Sequence, residues 1–243
     1  QTTLDAAEVG RVRDYLARGG RLWVMFSFSS LGTPSGLEPL LAEWGLGVGS
    51  NWVQDQGESQ SGEPNILLGS RFGGHPITRP LLRSSVKLVL PRAVQSLRPR
   101  PTSGSSPSVS ELVNTSQDGV LLVPVDRNRA EVRHRGSISV ASASEWNPAG
   151  ANAAPSRIVA VGDSFFLANV MIEQAANRDF AQMTINWLAN RDQMLSEIGP
   201  KPIREYQVTF TSQEMSRVRW VLLAGLPGTA LTLGLIVWAR RRS

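Results

Sequence analysis

The chain has 243 residues, 41% of them apolar and 19% charged, with a net charge of +5; this suits a folded domain with a sizeable core and excludes a largely disordered chain. Its cations are nearly all arginines, Lys87 and Lys201 being the two lysines, and their scatter along the chain argues against a nucleic-acid partner. With no cysteine, disulfides, thiolate metal sites and cysteine nucleophiles are excluded.

The opening "QTTLDAAEVG" carries no Met, no basic n-region and no apolar h-region, so any signal sequence or N-terminal anchor is expected to have been removed or to lie outside this chain. Asp5 and Glu8, three residues apart, fit a capping box. Val9, Val12 and Leu16 then mark one face of a helix that stops at Gly19-Gly20. "RLWVMFSF" reads as a buried strand, and the spacing Leu37, Leu40, Leu41, Trp44 predicts a second helix ending at Gly45. Apolar runs at 66–68, 86–90, 138–141 and 158–161 supply further strands, with helices predicted over 164–174 and 178–188. Segments 96–110 and 145–156, rich in Pro, Ser, Gly and Asn, read as surface loops.

Helix, strand, helix in this order points to an α/β domain over residues 1–198, followed by a linker at 199–210 and a terminal helical segment at 211–243. Because the chain opens on a helix, the first strand of such a sheet is expected to be missing. Thr211 and Glu214 form a second capping box. Residues 220–239 then run for roughly 30 Å of helix without a charge, the thickness of a bilayer's hydrocarbon core. The nine Val, Leu and Ile residues in this stretch contribute roughly −3 to −5 kcal/mol towards insertion, partly offset by its Gly and Pro residues. Trp220 and Trp238 stand near its ends as interfacial anchors, Pro227 predicts a local kink, and Arg240, Arg241 and Arg242 favour a cytoplasmic C-terminus. Arg217 and Arg219 on the other flank weaken that bias.

The sharpest chemical question lies at Gly162-Asp163-Ser164, where an apolar run passes into an apolar-periodic segment as it does in serine hydrolases. A GDS-type hydrolase needs a histidine base after the nucleophile. Both histidines, His75 and His134, precede Ser164, so the favoured reading has Asp163 or Ser164 capping the following helix and Gly162 permitting a tight turn. His75, in "GGHPIT", reads as a packed loop residue and His134, between Arg133 and Arg135, as solvent-facing. No metal or cofactor is expected from two isolated histidines. "GLGVGS" lacks both the preceding strand and the Lys-Ser/Thr of a phosphate-binding loop. In "ANRDF", Asn177 is expected to cap a helix and Asp179 to suit its first turn, while Arg178 and its neighbours could meet a partner.

Taken in order, "YLARGGRLWVMF", "LLAEWGL", "GHPIT", "VGDSFFLANV", "NRDFAQMTINWLAN" and the closing "LPGTALTLGLIVWARRRS" resemble the auxiliary, extracytoplasmic subunits of gliding-motility-type ABC transporters. The resemblance implies a flavodoxin-like or glutamine-amidotransferase-like domain with a mostly parallel sheet flanked by helices. It implies a place on the periplasmic side of a bacterial cytoplasmic membrane, held by the C-terminal helix, and no catalysis. Carried over by position, its motifs mark Asp163, Ser164, Asn177, Arg178, Asp179 and His75 as candidate ligand or partner contacts. Two functions compete: a subunit that binds a ligand or partner for an ABC permease, and a bracing subunit of another large membrane complex, such as a respiratory or photosynthetic one. A serine hydrolase is the minor alternative.

Overall fold

The computed structural model describes residues 3–60, 63–97, 106–126, 129–147, 155–191 and 211–242; the expected linker at 199–210 lies outside them. The first helix, α1 (Ala6–Ala17), starts as its sequence predicts: the Asp5 carboxylate accepts from the Glu8 N–H at 2.8 Å and the Glu8 carboxylate from the Asp5 N–H at 2.9 Å. It feeds β1 (Arg21–Met25), and α2 (Glu38–Glu43) ends at Gly45, whose φ of +75° is one that glycine adopts without a Cβ penalty.

Beyond α2 the chain departs from the expected fold. Strands β2 (Leu46–Val48), β3 (Trp52–Asp55), β4 (Ser59–Gln60), β5 (Glu63–Gly69), β6 (Arg71–Phe72), β7 (Val86–Val89) and β8 (Val94–Ser96) follow one another without an intervening α-helix among the described residues. So do β9 (Ser108–Asn114), β10 (Gly119–Pro124), β11 (Ala130–Arg135), β12 (Ser139–Trp146) and β13 (Ser156–Val161). They form a five-stranded sheet in the order β1-β13-β12-β9-β6, two three-stranded sheets (β11-β10-β3 and β4-β5-β7) and the pair β2-β8. β1 and β13 run parallel, Arg21 opposite Arg157 through Met25 opposite Val161; the other strand pairs among the described residues are antiparallel. The flavodoxin-like, mostly parallel α/β expectation is therefore overturned: the domain is mostly β, with few helices.

The expectation fails for a physical reason. Continuous apolar runs identify strands covered on both faces, and an antiparallel sheet sandwiched between layers produces them as readily as a parallel one. In β13, Ile158 and Ala160 pack with Val9 and Leu16 of α1, Leu40 and Leu41 of α2, and Trp44, which caps the end of α2. Val159 and Val161 point the other way, into a cluster with Leu67 of β5, Leu88 of β7 and Phe180, Met183 and Trp187 of α3 (Asn177–Leu188). The central sheet thus lies between α1 and α2 on one face and α3 with β5 and β7 on the other.

A second correction concerns residues 164–174, predicted as a helix. They form one 3-10 turn, Phe165–Leu167, and a series of tight turns. Ala168 adopts an extended conformation, with ψ of 150°. The carbonyls of Phe166 and Met171, which an α-helix would use for its own ladder, accept instead from the side-chain amide of Asn177, at 3.3 and 3.0 Å.

At the C-terminus α4 (Ser212–Trp220) continues through a π-helical turn, Val221–Gly225, into α5 (Leu226–Arg242). The wide turn stands directly before Pro227, where a proline without an N–H requires the local adjustment that its sequence predicts. The stretch Gln213–Arg242 is 30 residues long, with mean hydropathy 1.9 over its most apolar window and none of that window buried, so one helix is long and apolar enough to cross a membrane. Thr211 caps it through the predicted box with Glu214 and forms a β-bridge with Gln60 of β4, which roots the helix in the domain.

Candidate functional site

Two of the motif residues meet along one edge of β7. Its other edge pairs with β5, Leu67 opposite Leu88, leaving the N–H groups of Lys87 and Val89 directed outwards. No strand among the described residues covers them. The Asn177 side-chain oxygen accepts from the Lys87 N–H at 2.8 Å, and its amide returns a hydrogen bond to the Lys87 carbonyl at 3.0 Å. Two residues along, the Asp163 carboxylate accepts from the Val89 N–H at 2.8 Å and, with its other oxygen, from the Phe165 N–H at 2.7 Å. The Ser85 carbonyl accepts from the Ala176 N–H at 2.9 Å. Two side chains and one amide thus stand in for a missing strand, and buried backbone groups require such partners.

Asn177 is fully buried and Asp163 is 2% exposed. Burial holds the Asp163 carboxyl above its ordinary value, and the N–H groups of Val89, Phe165, Phe166 and Ser164 offset only part of that rise. Asp163, not Ser164, caps the turn that follows, since the Ser164 side chain makes no cap hydrogen bond. Asn177 likewise does not cap α3: Ala176 holds that position, and the Asn177 side chain reaches sideways to β7. Gly162 is required by a close approach, because a Cβ there would lie 1.9 Å from the Arg92 carbonyl oxygen.

The other motif residues are dispersed around this seam. Ser164 is half-buried, and neither histidine hydrogen-bonds to it. Arg178 is exposed and pairs with Glu173; Asp179 is half-buried, its carboxyl pushed up by burial and drawn down by Arg178. His75 is buried against the edge of Trp187, ring centroids 4.8 Å apart, with Nδ1 accepting from the Ile77 N–H at 3.3 Å. Its pKa is lowered to about 4, by burial first and then by the charges of Arg157 and Arg79. Arg157 contacts the same tryptophan, its guanidinium 4.7 Å from the Trp187 ring centroid and bonded to Glu145 at 2.9 Å. His134 lies on β11, all of whose residues are exposed. Among the described residues no group of three or more His, Asp and Glu side chains is placed to hold a metal ion. In the terminal helix Trp220 and Trp238 are exposed, and the Arg242 guanidinium lies 4.8 Å from the Trp238 ring centroid.

Sequence reading passed over Arg92 and Glu38. Arg92 interrupts the apolar run "VKLVLPRAV", and an arginine between two buried strands is the signal that would have flagged it. It is 3% exposed.

No family model matches the chain, and no curated protein matches it. A solved structure similar in fold is the mmIFT52 N-terminal domain, 15% identical, with a TM-score of 0.53 over 76% of this chain and 72% of that one. At that identity the likeness is one of fold alone.

Proposed function

We propose that this chain is a single-pass, non-catalytic auxiliary subunit of an ABC-type transporter, with its β-rich domain on the extracytoplasmic side of a bacterial cytoplasmic membrane. The observation that carries the reading is the helix Gln213–Arg242, apolar, unburied by its own domain and rooted in it through the Thr211–Gln60 bridge. An apolar surface of this length needs lipid or other helices around it. The arginines at 240–242 outnumber Arg217 and Arg219 on the other flank, which supports a cytoplasmic C-terminus. The transporter itself is supported by the sequence resemblance.

A second reading, a bracing subunit of another membrane complex, is favoured by a specific observation. Asp163, Asn177 and His75, half of the candidate contact residues, are engaged in holding the fold and present little surface to a ligand. Mild-detergent extraction from the native membrane, followed by mass spectrometry of the co-purifying chains, separates the two. Stoichiometric recovery with a permease and an ATPase is the result expected. Recovery with a different complex establishes bracing, and recovery in the soluble fraction overturns both.

A further inference from the structure

Arg92 sits between β7 and β8, its backbone N–H donating to the Gly162 carbonyl at 2.9 Å. A guanidinium has five N–H donors. Among the described residues Arg92 forms two side-chain hydrogen bonds, both from Nη2: to the Ser27 carbonyl at 3.2 Å and the Ser30 hydroxyl at 2.9 Å. Nε is buried without a partner, and among the described residues no carboxylate pairs with this cation. Its guanidinium lies 5.6 Å from the Phe26 ring centroid, a contact that offsets part of the charge but accepts no N–H in the ring plane. Buried arginines are ordinarily also paired with oxygen acceptors, because a buried charge with unmet donors is costly.

The same residue lines a cavity of about 400 Å³, within the range of small-molecule sites. Thr33, Pro34, Pro39 and Val48 supply largely apolar walls, and the Gly32 N–H donates to Ser50 Oγ at 2.7 Å, joining two of the lining residues. Glu38 also lines the cavity, but its carboxylate is occupied: Oε1 accepts from the Ser35 N–H and hydroxyl at 2.8 and 3.0 Å, and Oε2 from the Gly36 N–H at 2.9 Å. Burial alone would push the Glu38 carboxyl up; those donors outweigh it and hold it charged. It therefore offsets the Arg92 charge from a distance without covering the guanidinium.

We infer that this cavity binds a carboxylate carried on an apolar body, the carboxylate accepting from Arg92 Nη1, which unlike Nε is not enclosed and bonds to none of the described residues, and the body filling the space between Pro34, Pro39 and Val48. The nearby Glu38 charge selects a monoanion over a dianion such as a phosphate monoester. Two sources share this chemistry, a free aliphatic acid and the C-terminus of a peptide ending in an apolar residue. The site stands apart from the question of which membrane assembly the helix joins.

Equilibrium dialysis of the full chain in lipid nanodiscs tests it, with labelled hexanoate, N-acetyl-leucinate, hexanol and hexyl phosphate, and empty nanodiscs to subtract partitioning. Saturable binding of a carboxylate is expected, at least tenfold tighter than hexanol or hexyl phosphate, with Arg92→Gln reducing it at least tenfold. Because Arg92 also ties Ser27 and Ser30, Thr33→Trp provides a second variant: it obstructs the cavity from an exposed position and should abolish binding with Tm unchanged. Preference for N-acetyl-leucinate assigns the site to peptide C-termini, and preference for hexanoate to free acids. No saturable carboxylate binding, equal binding of hexanol, tighter binding of hexyl phosphate, or retention of binding in both variants overturns the inference.

Discussion

Replacing Asn177 with alanine removes the partner of the Lys87 N–H together with the amide that serves the carbonyls of Lys87 and Met171. Orphaning one buried N–H costs about 1–3 kcal/mol, and each lost hydrogen bond to a carbonyl about 1 kcal/mol, so Asn177→Ala should destabilise the domain by about 3–5 kcal/mol. For a chain of this size that corresponds to a fall in Tm of roughly 10 °C. The informative control is the adjacent residue of the same motif. Arg178 is exposed and paired with an exposed Glu173, and Arg178→Ala should cost less than about 1 kcal/mol. Asn177→Asp should fail to rescue, because its second oxygen would face the Lys87 and Met171 carbonyls. Thermal unfolding of the detergent-solubilised full chain, followed by tryptophan fluorescence, measures all three variants. If Asn177→Ala melts within about 3 °C of the parent, as Arg178→Ala should, then Asn177 does not close the β7 edge energetically and the reasoning is refuted.

Other expectations follow from the same geometry. His75, with its pKa lowered to about 4, leaves the unfolded chain binding the extra proton; stability present above pH 6.5 should be lost as pH falls towards 4, on the order of 3 kcal/mol in all. His75→Phe should remove that part of the slope in pH-dependent denaturation. Gly162→Ala, which drives a Cβ against the Arg92 backbone, should cost about 3 kcal/mol, whereas Gly74→Ala, with nothing within 4 Å, should leave Tm within about 2 °C. Leu231→Arg, near the middle of the terminal helix, should disfavour membrane insertion by about 3 kcal/mol and raise the fraction released by alkaline carbonate extraction. Ser164→Ala should leave any hydrolysis of generic esters unchanged; loss of such an activity on this substitution alone would restore the serine-hydrolase reading.

What the sequence disclosed was mostly local. Both capping boxes, the stop at Gly45, α3 and the apolar terminal helix follow from short-range rules, and the structure has each of them. Strand direction is not local. β12, "SVASASEW", escapes a hydrophobic scan beyond its first residues because close sheet packing favours Ser and Ala there. Its Ser142 and Ser144 hydroxyls donate to the Val94 and Trp44 carbonyls at 2.7 and 2.8 Å. Such bonds allow serine to occupy a core, and they join residues 48 and 100 positions apart, beyond what periodicity can detect. The motif residues were visible as polar exceptions at the ends of apolar runs. That Asp163 and Asn177 converge on β7 depends on a separation of 74 and 90 residues from their partners, which composition and spacing do not encode.

The side-chain closure of β7 also bears on self-association. A strand edge sealed by a neighbouring strand stays sealed unless a whole ladder opens, whereas this one depends on the rotamers of Asp163 and Asn177. When either side chain is lost, the outward N–H groups of Lys87 or Val89 become a template for pairing with another chain. The phenotype of variants in these two motifs should therefore include aggregation during expression, even where the change in folding free energy is one the domain could tolerate.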